Sequence, residues 1–133
     1  MSLPTDDKAR KEIPIWSFLM RYFPDALLAV VGVCVAGNKQ HNPELASSDI
    51  QWSRDKSIDQ MNTAMRHMWD YGTGVKKDAD GQWHLAKAIW RLSAQLQLDI
   101  EEAGRNNLSN IQLQHQYSSA QQAYGSGLQN QKV

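Results

Sequence analysis

Little in this chain can cross-link it or anchor it. Cys34 is the one cysteine in 133 residues, so no intramolecular disulfide can form. Its thiol lies inside the apolar run Ala26–Ala36 and is expected to be a small core residue in a reducing compartment. Acidic and basic side chains balance at fourteen each, so there is no global field toward DNA or an anionic membrane. Any anion binding must therefore come from a local cluster. Long hydrophobic stretches are missing as well. The eleven residues Ala26–Ala36 reach about 16 Å as a helix, roughly half a bilayer core. They stand too far along the chain, without small-residue cleavage chemistry, to read as a signal peptide. The expectation is a cytoplasmic protein with no membrane partner, and nothing in the sequence points directly to nucleic-acid binding.

Several kinds of site are absent too. Gly72-Thr73-Gly74 lacks the length and the lysine of a phosphate-binding loop. One cysteine and four dispersed histidines give no zinc-finger spacing, and no nucleophile elbow occurs.

What is present is a soluble globular composition, 41% hydrophobic and 21% charged, of a length suited to one domain. Residues 1–13 are charged without periodicity and are expected to form a flexible arm. An aromatic segment from Pro14 to Phe23 reads as a short helix or turn. Pro24-Asp25 opens a helix over Asp25–Ala36 that stops at Gly37-Asn38. That helix is apolar on every side and so is expected to be central, with Ala29, Gly32 and Ala36 as a ridge for a close neighbour. Lys39–Asp55 is a polar loop anchored by Trp52. Ser57 and Gln60 form a capping-box pattern for a second helix, closed by Gly72 and Gly74. A third helix covers Gln82–Ala103 and ends at Gly104. Residues 14–104 thus form an all-α bundle of three main helices plus the short aromatic one, of a size often completed by dimerisation. Residues 105–133, rich in Gln, Asn and Ser, are expected to be a disordered tail.

The segment Ser57–Tyr71 carries two patterns. Ile58, Met61, Met65, Met68 and Trp69 recur at the spacing of a buried stripe, while Asp59, Arg66 and Asp70 share a flank. Acids beside a cation suit a phosphate or metal site, and equally a surface ion pair. His67 sits opposite the Met stripe, which makes it exposed or part of a second interface. On the third helix His84, Lys87 and Arg91 line one face, where three cations could hold a polyphosphate or simply meet solvent. Leu85, Ile89, Leu92 and Leu96 form an aliphatic stripe, and Trp83 and Trp90 a second apolar side. Asp78-x-Asp80-Gly81 suits either a metal or an ordinary turn.

An ordered set of residues then carries a resemblance: Tyr22-Phe23-Pro24-Asp25-Ala26-Leu27, Gly37-Asn38, Gln40-His41-Asn42-Pro43, Trp52-Ser53-Arg54 and Lys56-Ser57. Asp59, Arg66-His67, Asp70, Gly72, Asp80-Gly81, His84, Lys87 and Trp90-Arg91 follow. From about Ala9 to Glu102 the chain resembles the phage dATP/dGTP diphosphohydrolase N-terminal-domain family. It is distantly similar to the MazG-type all-α nucleoside triphosphate pyrophosphohydrolases. The resemblance implies a helical enzyme of phage nucleotide metabolism, in the host cytoplasm. It would cut purine deoxynucleoside triphosphates to monophosphate and pyrophosphate with Mg²⁺ or Mn²⁺. It further implies catalytic work for Asp59, Arg66, His67 and Lys87, and substrate contacts from His41, Trp52, His84 and Arg91. Metal ligation would fall to Asp59, Asp70 and Asp25. The expected partners are a purine deoxynucleotide and a second copy of the chain.

The chain departs from the MazG pattern of paired acidic motifs. Asp59-x-x-Asn62 offers an amide where a second carboxylate is expected, and Val31-Gly32-Val33 supplies no acid. Two readings compete with catalysis: a nucleotide-binding protein without turnover, and a helical interaction module.

Overall fold

The structure, a computed structural model, describes residues 3–56 and 58–129. Among them the regular elements are helical, with one isolated β-bridge between Lys77 and Trp83. The helices are α1 (Asp7–Lys11), α2 (Ile15–Tyr22), α3 (Pro24–His41), α4 (Gln60–Gly72) and α5 (His84–Gln129), with 3-10 turns at Ser47–Asp49 and Arg54–Lys56. The chain divides into two compact units, one spanning Ser2–Leu96 and one beginning at Gln97. No single helix among the described residues is long and apolar enough to cross a membrane. Only the bent pair Asp7–Tyr22 and Pro24–His41, broken by 82°, has the length and composition when counted together.

In the first unit, part of the charged arm is helical after all. Asp6 caps α1 by accepting the Ala9 N–H at 2.9 Å, next to a negative charge on Asp7 that suits the helix start. In α2 and just beyond, Phe18, Tyr22 and Phe23 cluster, with ring centroids 5.9–6.2 Å apart. Pro24 then starts α3, which runs past the expected stop at Ala36 to His41. Gly37 and Asn38 do not take the left-handed conformation that a stop requires; among the described residues those with positive φ are Gly74 and Gly81. The buried Asn38 amide instead donates to the Leu45 carbonyl at 3.1 Å and fastens the following loop.

The expectation that α3 is central needs correction. Leu28 and Val31 are more than half exposed, and no apolar side chain of α3 is buried. A helix apolar all round needs neighbours on all sides, and the first unit does not supply them. The small-residue ridge does receive a neighbour, although it is not a helix: a Cβ on Gly32 would stand 3.2 Å from Gln82 Oε1.

α4 and the start of α5 form an antiparallel hairpin, since Gln60 pairs with Arg91 at one end and His67 with His84 at the other. The connection begins with a Schellman closure. Val75 N–H donates to Asp70 O at 3.0 Å and Gly74 N–H to Tyr71 O at 3.1 Å, with Gly74 at φ +101°. Gly81, at φ +80°, permits the second tight turn, after which the His84 N–H returns to the Lys76 carbonyl at 3.1 Å. The expected helix entry at Ser57 lies outside the described residues. The helix itself starts at Gln60, with Asp59 at its N-cap and no side-chain capping bond.

Among the described residues the buried apolar set is four alanines, Ala64, Ala86, Ala88 and Ala94, joined in the hairpin by the polar Gln60 and His84. The Met stripe of α4 is therefore not buried within the chain: Ile58 is 92% and Trp69 75% exposed, and Met61, Met65 and Met68 are about half exposed. The aliphatic stripe of α5 is likewise open. Periodicity reveals that a stripe exists but not which face meets a neighbour. Here the inward faces carry Ala64 and Ala88, whose size lets the polar side chains around them interleave.

In the second unit α5 continues as helix. The expected stop at Gly104 is not made, and helix stands where a disordered tail was expected, through Gln129. A glycine inside a helix costs about 1 kcal/mol relative to alanine without forcing an end, and no proline follows Pro43. Ser109 and Ser119 hydroxyls donate to carbonyls four residues back, and residues 102–116 are exposed.

The hairpin closure yields a direct contrast. Gly74→Ala should destabilise the fold by roughly 1–2 kcal/mol because its φ is left-handed. Gly72→Ala, with helical backbone and nothing within 4 Å of the new methyl, should be neutral or stabilising. Denaturant melts of the two variants check the pair.

Candidate metal and phosphate site

Antiparallel packing of α4 on α5 gathers most of the sequence's candidate residues into one polar seam with two ends. The first end lies at the N-terminus of α4. Here Arg66 Nη1 is 3.5 Å from Asp59 Oδ2, and Arg66 Nη2 donates to Thr63 Oγ1 at 2.7 Å. Arg91 reaches across from α5 and donates to the Oε1 of Gln60, which is 1% exposed, at 3.0 Å. Burial lowers the Arg91 pKa, the neighbouring Arg66 lowers it further, and Asp59 opposes both. Two guanidinium groups thus feel one another across the seam with one exposed carboxylate nearby. That is a place suited to an anion.

Seven residues further along α4, about 10 Å at 1.5 Å per residue, is the second end. His67 Nδ1 and His84 Nδ1 are 3.0 Å apart, with one ring donating to the other and the imidazoles tilted by 41°. His84 is nearly inaccessible at 3%. Asp70 Oδ2 stands 3.9 Å from His84 Nδ1. Beside the pair, Lys87 Nζ donates to Asp78 Oδ2 at 2.6 Å and to Asp80 Oδ2 at 2.7 Å. The other carboxylate oxygens serve the turn: Asp78 Oδ1 accepts from Ala79 N–H and Asp80 Oδ1 from Gln82 N–H. The two readings of Asp78-x-Asp80 were therefore not exclusive, since each acid shapes the turn with one oxygen and faces the seam with the other. Among the described residues, His67, Asp78 and His84 form a group able to hold a metal ion, with one ligand atom from each lying within 4.8 Å of the others.

The electrostatics follow from this crowding. Burial holds the His67 pKa below that of free imidazole, helped by the charge on Lys87 and by His84, and opposed by Asp78. The Lys87 hydrogen bonds draw both Asp78 and Asp80 below the usual carboxylate range. For Lys87, burial disfavours the charge, yet its bonds to the two carboxylates outweigh that and raise its pKa.

Not every expected residue arrives here. Asp59 and Asp70 stand eleven positions apart on one helix, about 16 Å along its axis, so within one chain they do not share an ion. Asp25 is exposed in the first turn of α3, and His41 is its exposed last residue; neither joins the seam. Trp52 packs edge-on against Trp90, centroids 6.0 Å apart, with Arg54 4.5 Å over its ring. Its buried Nε1 has no hydrogen-bond partner among the described residues. Trp83 is half exposed, with Lys77 Nζ 4.8 Å from its ring centroid. Gln60 was missed as a seam residue; its place one helical turn before Ala64, on the small-residue face, was the available signal.

The pKa directions fix a pH profile. His67 is harder to protonate folded than unfolded, so its contribution is complete above the ordinary imidazole pKa of about 6.5 and is lost as pH falls below it. Asp78 and Asp80 contribute above the ordinary carboxylate range and lose that contribution only as pH falls through their lowered values. Melting temperature should thus decline in two acid stages, and His67→Gln should erase the first while keeping the second.

Residues 3–107 match the family model described as dATP/dGTP diphosphohydrolase, N-terminal. No curated protein and no solved structure matches the chain.

Proposed function

Because the chain belongs to the dATP/dGTP diphosphohydrolase N-terminal-domain family, we propose that the α4–α5 seam binds and hydrolyses purine deoxynucleoside triphosphates in phage nucleotide metabolism. The observation that carries this reading is the convergence of Arg66 and Arg91 at one end of the seam with His67, His84 and Lys87 at the other. Water attacks the α-phosphorus, the α–β anhydride bond breaks, and pyrophosphate leaves with the bridging oxygen. Arg66 and Arg91 take the charge that develops on the leaving pyrophosphate. The imidazole end meets the α-phosphate and the attacking water. Asp59, together with the substrate phosphates, would hold Mg²⁺ or Mn²⁺, and the ion would supply charge neutralisation on those phosphates. Lys87 holds Asp78 and Asp80 in place around the imidazoles.

Incubation with dGTP or dATP and Mg²⁺ or Mn²⁺ should release pyrophosphate. Arg66→Ala and Asp59→Ala should each lower the rate by about 100-fold or more, the scale of one charge-stabilising group. Melting should change little, since both side chains are largely exposed. Full activity in either variant would remove that residue from the site. Nucleotide-dependent thermal stabilisation without turnover would favour the binding-only reading, which the amide of Asn62 supports.

The exposed stripes of α4 and α5 are proposed to meet a second copy of the chain. Nine large apolar side chains there are more than a third exposed, a supply suited to the ~800 Å² per partner of a stable interface. Light scattering should give twice 15.1 kDa, and Met65→Glu should return the monomer mass. A wild-type monomer at micromolar concentration would remove the dimer.

A further inference from the structure

We infer that His67, His84 and Asp78 form a three-ligand centre for a borderline divalent ion such as Zn²⁺, Co²⁺ or Ni²⁺, distinct in chemistry from the oxygen-only Mg²⁺ site proposed at Asp59. The inference deepens the hydrolase reading by naming an ion at the imidazole end, but its geometry stands whether or not a nucleotide is cut.

Two imidazole nitrogens and one carboxylate, with further positions open, is a donor set that first-row transition ions and zinc accept and that Mg²⁺ disfavours. The nitrogen pair is already close to size. Ligands at about 2.05 Å in tetrahedral geometry stand about 3.3 Å apart, against the 3.0 Å observed between His67 Nδ1 and His84 Nδ1. Both Nδ1 atoms face the shared space, so ligation requires only that each ring carry its proton on Nε2. An Asp78 carboxylate oxygen lies within 4.8 Å of a ring nitrogen of each histidine, so it has to close by no more than about 1.5 Å. Doing so would draw Asp78 Oδ2 from Lys87, and Asp80 can keep Lys87 through its own 2.7 Å contact. The clamp therefore has a spare acid built into it.

Charge and burial agree with this assignment. With neutral imidazoles, the carboxylates of Asp70, Asp78 and Asp80 outnumber the ammonium of Lys87 beside the rings, with Arg91 as a further positive charge acting on His67. His84 is 3% exposed, and the side-chain hydrogen bond of its ring among the described residues goes to His67, so its Nδ1 is turned toward the shared space. Asp70, 3.9 Å from that nitrogen, is near enough to act as a further ligand or to orient a bound water. An ordinary histidine–histidine hydrogen bond needs none of these flanking acids.

The test is a titration of the full chain with Co²⁺ in the absence of nucleotide, followed by visible absorption and calorimetry. One ion per chain should bind with nitrogen-ligand d–d bands, and excess Mg²⁺ should not remove them. His67→Gln and Asp78→Asn should each weaken binding by more than about 100-fold, since even outer-shell partners are worth 10–100-fold. Circular dichroism of each variant separates lost ligation from lost fold, and His67, less buried than His84, is the safer position. Bands that persist unchanged in folded His67→Gln would place the ion elsewhere and overturn the centre. Absence of bands in the wild type would overturn it as well. Binding of Co²⁺ with no pyrophosphate released when dGTP and Mg²⁺ are then added would uphold the centre and count against hydrolysis alone.

Discussion

Two imidazoles in van der Waals and hydrogen-bonding contact between α4 and α5 impose the constraint from which the remaining structure follows. Helices whose inward faces carry Gln60, Ala64 and His67 on one side and His84, Ala88 and Arg91 on the other cannot also bury their methionines and leucines against each other. Alanine is what makes the arrangement possible, because it brings the helices together without filling the space that the polar groups need. A buried polar seam is costly unless its members satisfy one another, and here the pairings Arg91–Gln60, His67–His84 and Lys87–Asp78/Asp80 do so. Seams of this kind are poor sources of stability and good sources of chemistry.

The turn between the helices is part of the same design. The glycines at φ +101° and +80° reverse the chain, and between them Asp78 and Asp80 each divide their two oxygens between backbone and seam. A carboxylate held by its own turn is oriented before any ligand arrives, which is the condition for a useful metal or phosphate site. The apolar surplus on the outer faces of α4 and α5 is then the consequence of giving the inner faces to polar groups.

Much of the fold was legible in the sequence, and the reasons for the misses are specific. The all-α class, the start of α3 at Pro24-Asp25 and the closure of α4 at Gly74 follow from local chemistry, where turn and cap residues act on their own backbone. The ends of α3 and α5 were misjudged, since Gly37 and Gly104 permit a stop but do not compel one. The burial of the Met stripe was misjudged for a tertiary reason: at Ala64 and Ala88 size outweighed hydropathy in choosing the contact face. For the site, the row His84, Lys87, Arg91 was visible from spacing. Its partner surface was not, because nothing in one helix says that His67 and Gln60 will face it. Asp59 and Asp70 were grouped by angle around the helix while their separation along it was overlooked.

These elements describe a short helical hairpin whose inner polar strip, with a cationic end and an imidazole end about 10 Å apart, is the proposed nucleotide site of a member of the dATP/dGTP diphosphohydrolase N-terminal-domain family. The most direct test is side-chain NMR of uniformly ¹⁵N-labelled protein, following arginine Nε and histidine ring signals as an α,β-methylene analogue of dGTP is added with Mg²⁺. On this reading Arg66, Arg91, His67 and His84 are perturbed together, with His115 unmoved. Signals along the seam that stay fixed while the analogue binds elsewhere, or fails to bind, would contradict it.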